Sequence, residues 1–564
     1  MLSGAILLGG LLTIALAFYM VVISYTSLPW SDGWTQITVA ASGDNPFSLH
    51  WLWRQHNEHR LLIPKLLLAM DLRWFDAQQK FLLAVIFAVQ LLHCFLLSWS
   101  MRVLGGWRGP LWRTGTGLAA FCLFCPTQWE NLVWGFQTCF VLPPLFATIS
   151  FVALLLYWKS TPQAPGSARR FIVLSVVSAL AAMGSLASGV LLLPLLVVAA
   201  LALRLRRSII LTYIATMLAA VALFLYGYVQ PSTHDPFAAL RAPGKLLAYI
   251  ATYLGSTWTA GGGWKPQNLV IAPYAGALGV LLLLPFLWRF RRFATLREAF
   301  SIQLLLMALF CLATGCLTAL GRIHLGIGQA FASRYETVAL LFWFSLGCLA
   351  FAAAARARPA LITFLQVLVA MVMLRGALLA FVPLRDAREH AFQMRAASAA
   401  LITGVNDPRQ FDDASINPYV LPMDLAYLRQ HRLSIFHDDP QAVLGRPLSS
   451  VFSMAPRNGC AGAVESVTQL GSSDWRITGW VWDVLRREVP TQMATVANGR
   501  IAGLGAAGNW QPDIRAKERG RLTTSLAGFT AYAANVPASE PVSIYAISGA
   551  KPRKACYLAT VTPK

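Results

Sequence analysis

Charge is what this sequence has least of. Only 12% of its 564 residues are Asp, Glu, Lys or Arg. A soluble chain carries roughly 25%, so a soluble globular protein is excluded. Acid is the scarcer sign: 24 Asp and Glu stand against 46 Lys and Arg, a net charge of +22. Such an excess can signal nucleic-acid binding. Here much of it sits in short loops between apolar segments, where Lys and Arg act as a topology signal, and no nucleic-acid partner is expected. The chain lacks an internal repeat, which argues against a transporter built from related halves. It also lacks an A-x-A-like cleavage site after its first apolar segment, so that segment reads as a retained signal-anchor. Cysteine is sparse. Cys94, Cys122, Cys125, Cys139, Cys311, Cys316 and Cys348 lie in or beside apolar runs, where packing thiols are expected and a redox reading of Cys122-x-x-Cys125 is not.

What the chain has is apolar length. Hydrophobic residues make up 57%, and the mean hydropathy is +0.56. Segments near the ~20 residues that cross a bilayer recur. The expected spans are 3–24, 81–101, 114–127, 137–157, 171–187, 189–203, 208–228, 270–288, 302–320, 331–354 and 361–381, about eleven in all. The fold class is therefore mostly α, a polytopic bundle in a lipid bilayer. The loops with Arg102, Arg108 and Arg113; Lys159, Arg169 and Arg170; Arg204, Arg206 and Arg207; Arg289, Arg291, Arg292 and Arg297; and Arg356 and Arg358 then share one side. That places the N-terminus in the cytoplasm and the C-terminal part outside. The assignment needs a break at Met183–Gly189, where small residues permit a tight turn.

The outer face then gathers the 25–80 loop, with a surface helix over 58–75, and the 229–269 loop with His234, Asp235, Lys245, Trp258, Trp264 and Lys265. Everything after about 384 also lies outside. Three regions follow: a transmembrane domain over 1–383, a helical linker over 384–450, and an extracytoplasmic β-sandwich over 451–564. In the linker, 386–403 and 422–431 read as helices. In the last region, residues 475–482, 493–497 and 542–547 alternate like strands between Gly and Pro signals. Cys460 and Cys556 sit near its two ends. A disulfide there closes a loop of about a hundred residues and is worth about 4–5 kcal/mol on chain entropy.

Scarce ionisable groups in so apolar a chain call for a reason. Moving a sugar from a lipid-phosphate donor needs a carboxylate to take the acceptor's proton, and cations to stabilise the departing phosphate. Asp32, just past the first span and flanked by Trp30 and Trp34, fits the first role. The tryptophans would stack on a sugar or anchor the interface; the plainer reading makes Asp32 a helix cap. The run Arg54-Gln55-His56-Asn57-Glu58-His59-Arg60 supplies a second carboxylate in Glu58. Arg54, His56, His59 and Arg60 are phosphate ligands there, or else part of a solvated loop. No cofactor is expected; the alternative is a divalent cation on His56-x-x-His59 with Glu58, histidines that would share a helical face. Thr127–Gln137 puts Glu130 and Gln137 at a membrane edge, against a cavity or an internal partner. Ser333-Arg334-Tyr335, with Arg322 and His324 nearby, offers further phosphate ligands or interfacial snorkels.

The architecture and the runs Gln55–Arg60, Trp129-Glu130-Asn131-x-x-Trp134-Gly135-Phe136-Gln137 and Ser333-Arg334-Tyr335 resemble the C-type (GT-C) membrane glycosyltransferases of bacterial surface-polysaccharide pathways, over residues 1–381. That family keeps an essential Asp in the first outer loop, the place of Asp32. The second acid is Asp44, Glu58 or Glu130. The resemblance implies a polyprenyl-phosphate-linked sugar donor, a glycan, lipid or protein acceptor, and the bacterial plasma membrane. A flippase, or a polymerase or ligase of lipid-linked polysaccharide, are the alternatives.

Overall fold

The structure, a computed structural model, describes residues 1–160, 168–230, 241–259, 266–296, 298–416, 421–456, 459–511, 525–549 and 553–563. The chain divides into two compact units. The first comprises Met1–Val22, Phe47–Leu67 and Leu82–Leu384; the second comprises Ile23–Pro46, Leu68–Phe81 and Arg385–Lys564.

All eleven expected apolar segments are helical, over Leu2–Ser24, Lys80–Val103, Gly109–Phe124, Thr138–Ser160, Arg169–Met183, Leu192–Ala202, Arg207–Leu225, Pro266–Trp288, Ala299–Arg322, Glu336–Ala357 and Pro359–Leu379. Among the described residues, eight helical segments are long and apolar enough to cross a membrane, so this is a multi-pass membrane protein. Helices Gly109–Phe124, Arg169–Met183 and Leu192–Ala202 have 16, 15 and 11 residues, short of the ~20 that span a bilayer core. The break at Met183–Gly189 is present, as a turn leading into a 3-10 helix over Ala187–Leu191.

The 229–269 stretch is not only a loop. It holds a helix, Pro243–Gly255, and a 3-10 turn, Ser256–Trp258; His234, Asp235, Trp264 and Lys265 lie outside the described residues, as does Arg297. Glycine explains how this helix seats. A Cβ on Gly255 would lie 1.9 Å from the Ala272 carbonyl oxygen, and one on Gly276 would lie 1.8 Å from that of Ala251. Only glycine lets the Pro243–Gly255 and Pro266–Trp288 backbones approach that closely. Some polar side chains inside the unit pair with one another: His93 Nε2 lies 2.7 Å from Thr148 Oγ1, and Gln366 donates to Thr114 Oγ1 at 2.8 Å.

In the second unit the strands are β1 (Ser453–Met454), β2 (Cys460–Gln469), β3 (Trp475–Asp483), β4 (Gln492–Ala497), β5 (Arg500–Asn509), β6 (Gly528–Ala533), β7 (Val542–Ser548) and β8 (Lys554–Val561). They differ from two facing sheets in being hydrogen-bonded into one, in the order β1-β8-β7-β4-β5-β6-β3-β2. The sheet curls: β2 lies at one end of that order and β8 near the other, yet Cys460 on β2 is disulfide-bonded to Cys556 on β8 with a Cα–Cα distance of 5.9 Å.

Period-2 alternation fills both faces of the sheet. Met493 on β4 and Val542, Ile544 and Ala546 on β7 enter an inner core with Trp475, Ile477 and Phe529. Ala494, Val496 and Ile547 face a second core with Met394, Leu401, Phe411, Leu428 and Phe436, from helices Phe381–Thr403, Pro408–Asp413 and Leu421–His431 and the 3-10 turn Ser434–Phe436. β4 and β6 are therefore buried on both faces. Asp407, fully buried, fastens helix to sheet. Arg476 Nη1 donates to both its carboxylate oxygens at 3.0 Å, Tyr532 donates at 3.1 Å, and the carboxylate caps Gln410 N at 3.3 Å.

Candidate active site

Around the histidine cluster, local structure begins with a short helix. Ser48 caps Leu49–Trp53 by accepting from Trp51 N at 3.4 Å. The carbonyls at the other end need donors, and two cations supply them. Lys65 Nζ donates to Trp51 O at 3.1 Å and Arg54 O at 2.5 Å. Arg60 donates to Trp53 O at 2.9 Å, and to Phe224 O and Tyr226 O at 3.3 and 2.7 Å. A positive charge at a helix C-terminus is favourable. Burial, with Arg54 and Arg60 alongside, lowers Lys65 to about 8. Arg60 is 4% exposed. Expected to grip phosphate, it instead fastens two helix ends, because its donors are spent on carbonyls.

Between these residues the chain makes a tight hairpin. His56 N donates to His59 O at 2.9 Å, His59 N donates to His56 O at 2.8 Å, and Asn57 takes a φ of +48°. Asn tolerates this left-handed region better than most residues. The expected helical face for His56-x-x-His59 is therefore absent, and the helix that follows begins only at Leu62. Gln55 pins the hairpin to Val229, donating to its carbonyl at 2.6 Å and accepting from its N–H at 2.9 Å. His56 lies against the Phe136 ring at 5.5 Å. Exposed Arg54 lies over the Trp51 ring at 4.4 Å.

The hairpin presents Glu58, whose carboxylate is ion-paired with Arg322 and lies 3.5 Å from His59 Nε2. These side chains keep 18–24% of their surface exposed, so the cluster is half-buried. A second pair stands beside the same connection between helices. Glu130 accepts from Arg334 N at 2.9 Å, and its carboxylate lies 3.5 Å from Arg334 Nη1. Glu130 N donates to Ser333 Oγ at 3.2 Å. Asn131 donates to Arg334 O and Thr337 Oγ1 at 2.9 and 2.8 Å, and Thr337 donates to Gln128 Oε1 at 2.5 Å. The polar run Thr127–Gln137 thus meets an internal partner, the 3-10 turn Ser333–Tyr335 and the helix start behind it.

Arg322 ends helix Ala299–Arg322 and Arg334 precedes helix Glu336–Ala357, so one connection carries both arginines. His324, on the same connection, is exposed. Tyr335 is buried, with its ring 5.2 Å from that of Tyr253. Tyr249, one turn earlier, is fully buried and in electrostatic reach of both Arg322 and Arg334. Among the described residues its hydroxyl has no hydrogen-bond partner, and neither has either amide atom of fully buried Gln137. A buried polar group left unpaired costs about 1–3 kcal/mol, so both mark places where water or a ligand is expected. Tyr249 was missed in the sequence; its one signal was the i, i+4 spacing with Tyr253 inside a stretch read as loop. Lys65 was missed for the same reason as Arg60 was misread: its partners are carbonyls, which leave no trace in sequence.

Asp32 belongs to the second unit. It lies in a 3-10 turn, Ser31–Trp34, that runs into helix Thr35–Ala41, and its carbonyl accepts from Thr35 Oγ1 at 2.7 Å. The flanking tryptophans are engaged within this unit. Trp34 is buried in the core with Leu28 and Ile37, and the Trp30 ring centroid lies 3.9 Å from that of His390. No group of three His, Cys, Asp or Glu side chains able to hold a metal ion occurs among the described residues. The free cysteines are buried or half-buried, Cys125 just past the end of helix Gly109–Phe124 and the others within helices.

No protein-family profile matches the chain, and no curated protein matches it in sequence. Among solved structures it is similar to the crystal structure of ArnT from Cupriavidus metallidurans bound to undecaprenyl phosphate. The identity is 16%, the TM-score is 0.36, and the match covers 76% of this chain and 75% of that one. An overlap of that size carries no argument about fold or activity, and the functional reading rests on this chain's own residues.

Proposed function

We propose that this protein is a membrane glycosyltransferase, moving a sugar from a polyprenyl-phosphate donor to a cell-envelope acceptor at the outer face of the membrane. The observation that carries the reading is the double pairing Glu58–Arg322 and Glu130–Arg334 on one inter-helix connection. In the reaction, an acceptor hydroxyl oxygen bonds to the sugar's anomeric carbon as the bond from that carbon to the phosphate oxygen breaks. The hydroxyl proton goes to a carboxylate, and the electron pair leaves on the polyprenyl phosphate. Arg322 and Arg334 would stabilise that phosphate, guanidinium being suited to bidentate contact with its oxygens. His59 and His324 stand close in sequence to these arginines and carboxylates and are further donors. Tyr249 and Gln137, buried and unpaired among the described residues, would meet the sugar or phosphate.

Two carboxylates are candidates for the proton acceptor. Glu58 is proposed from its place in the cluster, and Asp32 from its position in the chain directly after the first apolar helix. The test is analysis of cell-envelope glycans in a deletion strain complemented with wild-type, Asp32→Asn or Glu58→Gln protein. Loss of a sugar modification on deletion, restored by wild type and not by at least one variant expressed at equal level, supports the reading. Unchanged glycans in the deletion strain, or full restoration by both variants, refute it.

A further inference from the structure

A separate feature of the second unit stands outside this reaction. A pocket of about 430 Å³ opens between helix Phe381–Thr403, the Tyr25–Ser27 and Gln78–Lys80 segments and the central strands β4 and β5 around Gln492 and Gly505. Three cations line it: Lys80, Arg395 and Arg553. None of the three is ion-paired with a carboxylate among the described residues. Arg476 and Arg385 of the same unit meet carboxylates; the three pocket cations are unspent positive charge. The one acid in the lining, Asp438, is 93% exposed and contacts His437 at 3.1 Å.

The neutral groups beside the cations are suited to sugar hydroxyls. Lys80 Nζ donates to Gln78 Oε1 at 2.6 Å and lies over the Tyr25 ring at 5.5 Å. Arg553 Nη1 donates to Gln492 Oε1 at 3.4 Å. Each glutamine therefore turns its carbonyl to a cation, leaving its NH₂ to donate elsewhere. Arg395 is held by its Nε on Ala391 O at 3.1 Å, which leaves the two terminal nitrogens for a ligand. Ser398 and Thr491 add hydroxyls. Fixed cations, side-chain amides and hydroxyls in one concavity are what an oxyanion-bearing sugar needs, the cations taking the anion and the neutral groups the ring hydroxyls.

We propose that this pocket binds a saccharide carrying an anionic group, a phosphate or a carboxylate. The site does not depend on the transfer reaction, and its test is direct binding. The full-length protein in detergent is titrated calorimetrically with glucose 1-phosphate, glucuronate, glucose and inorganic phosphate. To keep the proposed active site from contributing, the same titrations are run on the Arg322→Gln variant. The expected result is that one or both anionic sugars bind at least about tenfold more tightly than glucose, the anion contributing charge-assisted bonds. Which of the two binds identifies the anion. Arg553→Gln and Lys80→Gln should each weaken that binding about fivefold or more, and raised salt should weaken it further. Arg322→Gln should leave it in place. Both mutated side chains are exposed, and an unchanged melting temperature confirms folding. Equal affinity for glucose, binding of inorganic phosphate as tight as that of the sugar phosphate, affinity unmoved by both substitutions, or no binding at all would each overturn the proposal.

Discussion

Asp71 offers the sharpest physical test, because its ionisation should work against the fold. It lies on helix Leu62–Trp74, 3% exposed. Gln79 N donates to its Oδ2 at 3.1 Å, while Oδ1 has no partner among the described residues. Burial pushes its carboxyl up to about 7, with Asp76 adding to the rise and the Gln79 bond opposing it. In an unfolded chain the value is near 3.9. Below pH 4 both states hold the proton and stability is fully present. As pH rises from about 4 to 7 the unfolded chain gives up the proton and the folded one keeps it, so stability is lost, up to about 4 kcal/mol. Asp71→Asn removes the titration. Its new amide N–H would itself be buried, at a cost of about 1–3 kcal/mol, but that cost does not vary with pH. The informative quantity is therefore how the difference in melting temperature between variant and wild type changes with pH. For a unit of this size each kcal/mol moves the midpoint by about 2–4 °C. Melting of the detergent-solubilised protein should show the variant gaining at least about 5 °C on wild type between pH 4.5 and pH 8. A difference that stays flat, or that moves in wild type's favour as pH rises, would refute the burial argument.

Other expected outcomes follow from single contacts. Glu130→Ala removes a charge-assisted bond to Arg334 N and should destabilise by about 1.5–3 kcal/mol. In a double-mutant cycle, Arg334→Ala should show a coupling of about 0.5 kcal/mol or more with it, read as melting midpoints. Additivity would mean the pair is incidental. Replacing both Cys460 and Cys556 with Ser opens a loop 96 residues apart in sequence and should cost about 2–5 kcal/mol. Protection of β2 and β8 amides from hydrogen exchange should fall first. Arg322→Gln should lower sugar transfer about 10²–10³-fold, as loss of one group stabilising developing negative charge does elsewhere. Melting should change by about 1 kcal/mol or less, the Glu58 pair being partly exposed.

Much of the fold was legible because it is written in period and composition. All eleven apolar segments became helices with ends near those expected, and the alternation of 475–482, 493–497 and 542–547 became β3, β4 and β7. Three features were not legible. The helix Pro243–Gly255 was hidden because its register is set by Gly255 against Ala272 and Gly276 against Ala251, contacts between distant residues. The tight hairpin at His56–His59 stands in a stretch expected to be a polar loop with a surface helix over 58–75, and what decides it is Asn57 in the left-handed region. The pairing of strands into a single curled sheet depends on long-range register that alternation alone does not contain. For the candidate site, sequence singled out Glu58, Arg322, Glu130 and Arg334 but not which carboxylate meets which arginine. Arg60 looks like a phosphate ligand in sequence and is a fastening in the structure, and Lys65, a fastening too, does not stand out in sequence, because backbone carbonyls carry no sequence signature.

The most direct test of the central claim is transfer itself. Full-length protein reconstituted in liposomes is given a polyprenyl-phosphate sugar labelled in the sugar, with a total cell-envelope lipid and glycan extract as acceptor. Predicted is release of polyprenyl phosphate with label appearing in the acceptor, abolished by Glu58→Gln or Asp32→Asn and reduced by Arg322→Gln. Transfer undiminished in all three variants, or no transfer by the wild-type protein, would contradict it.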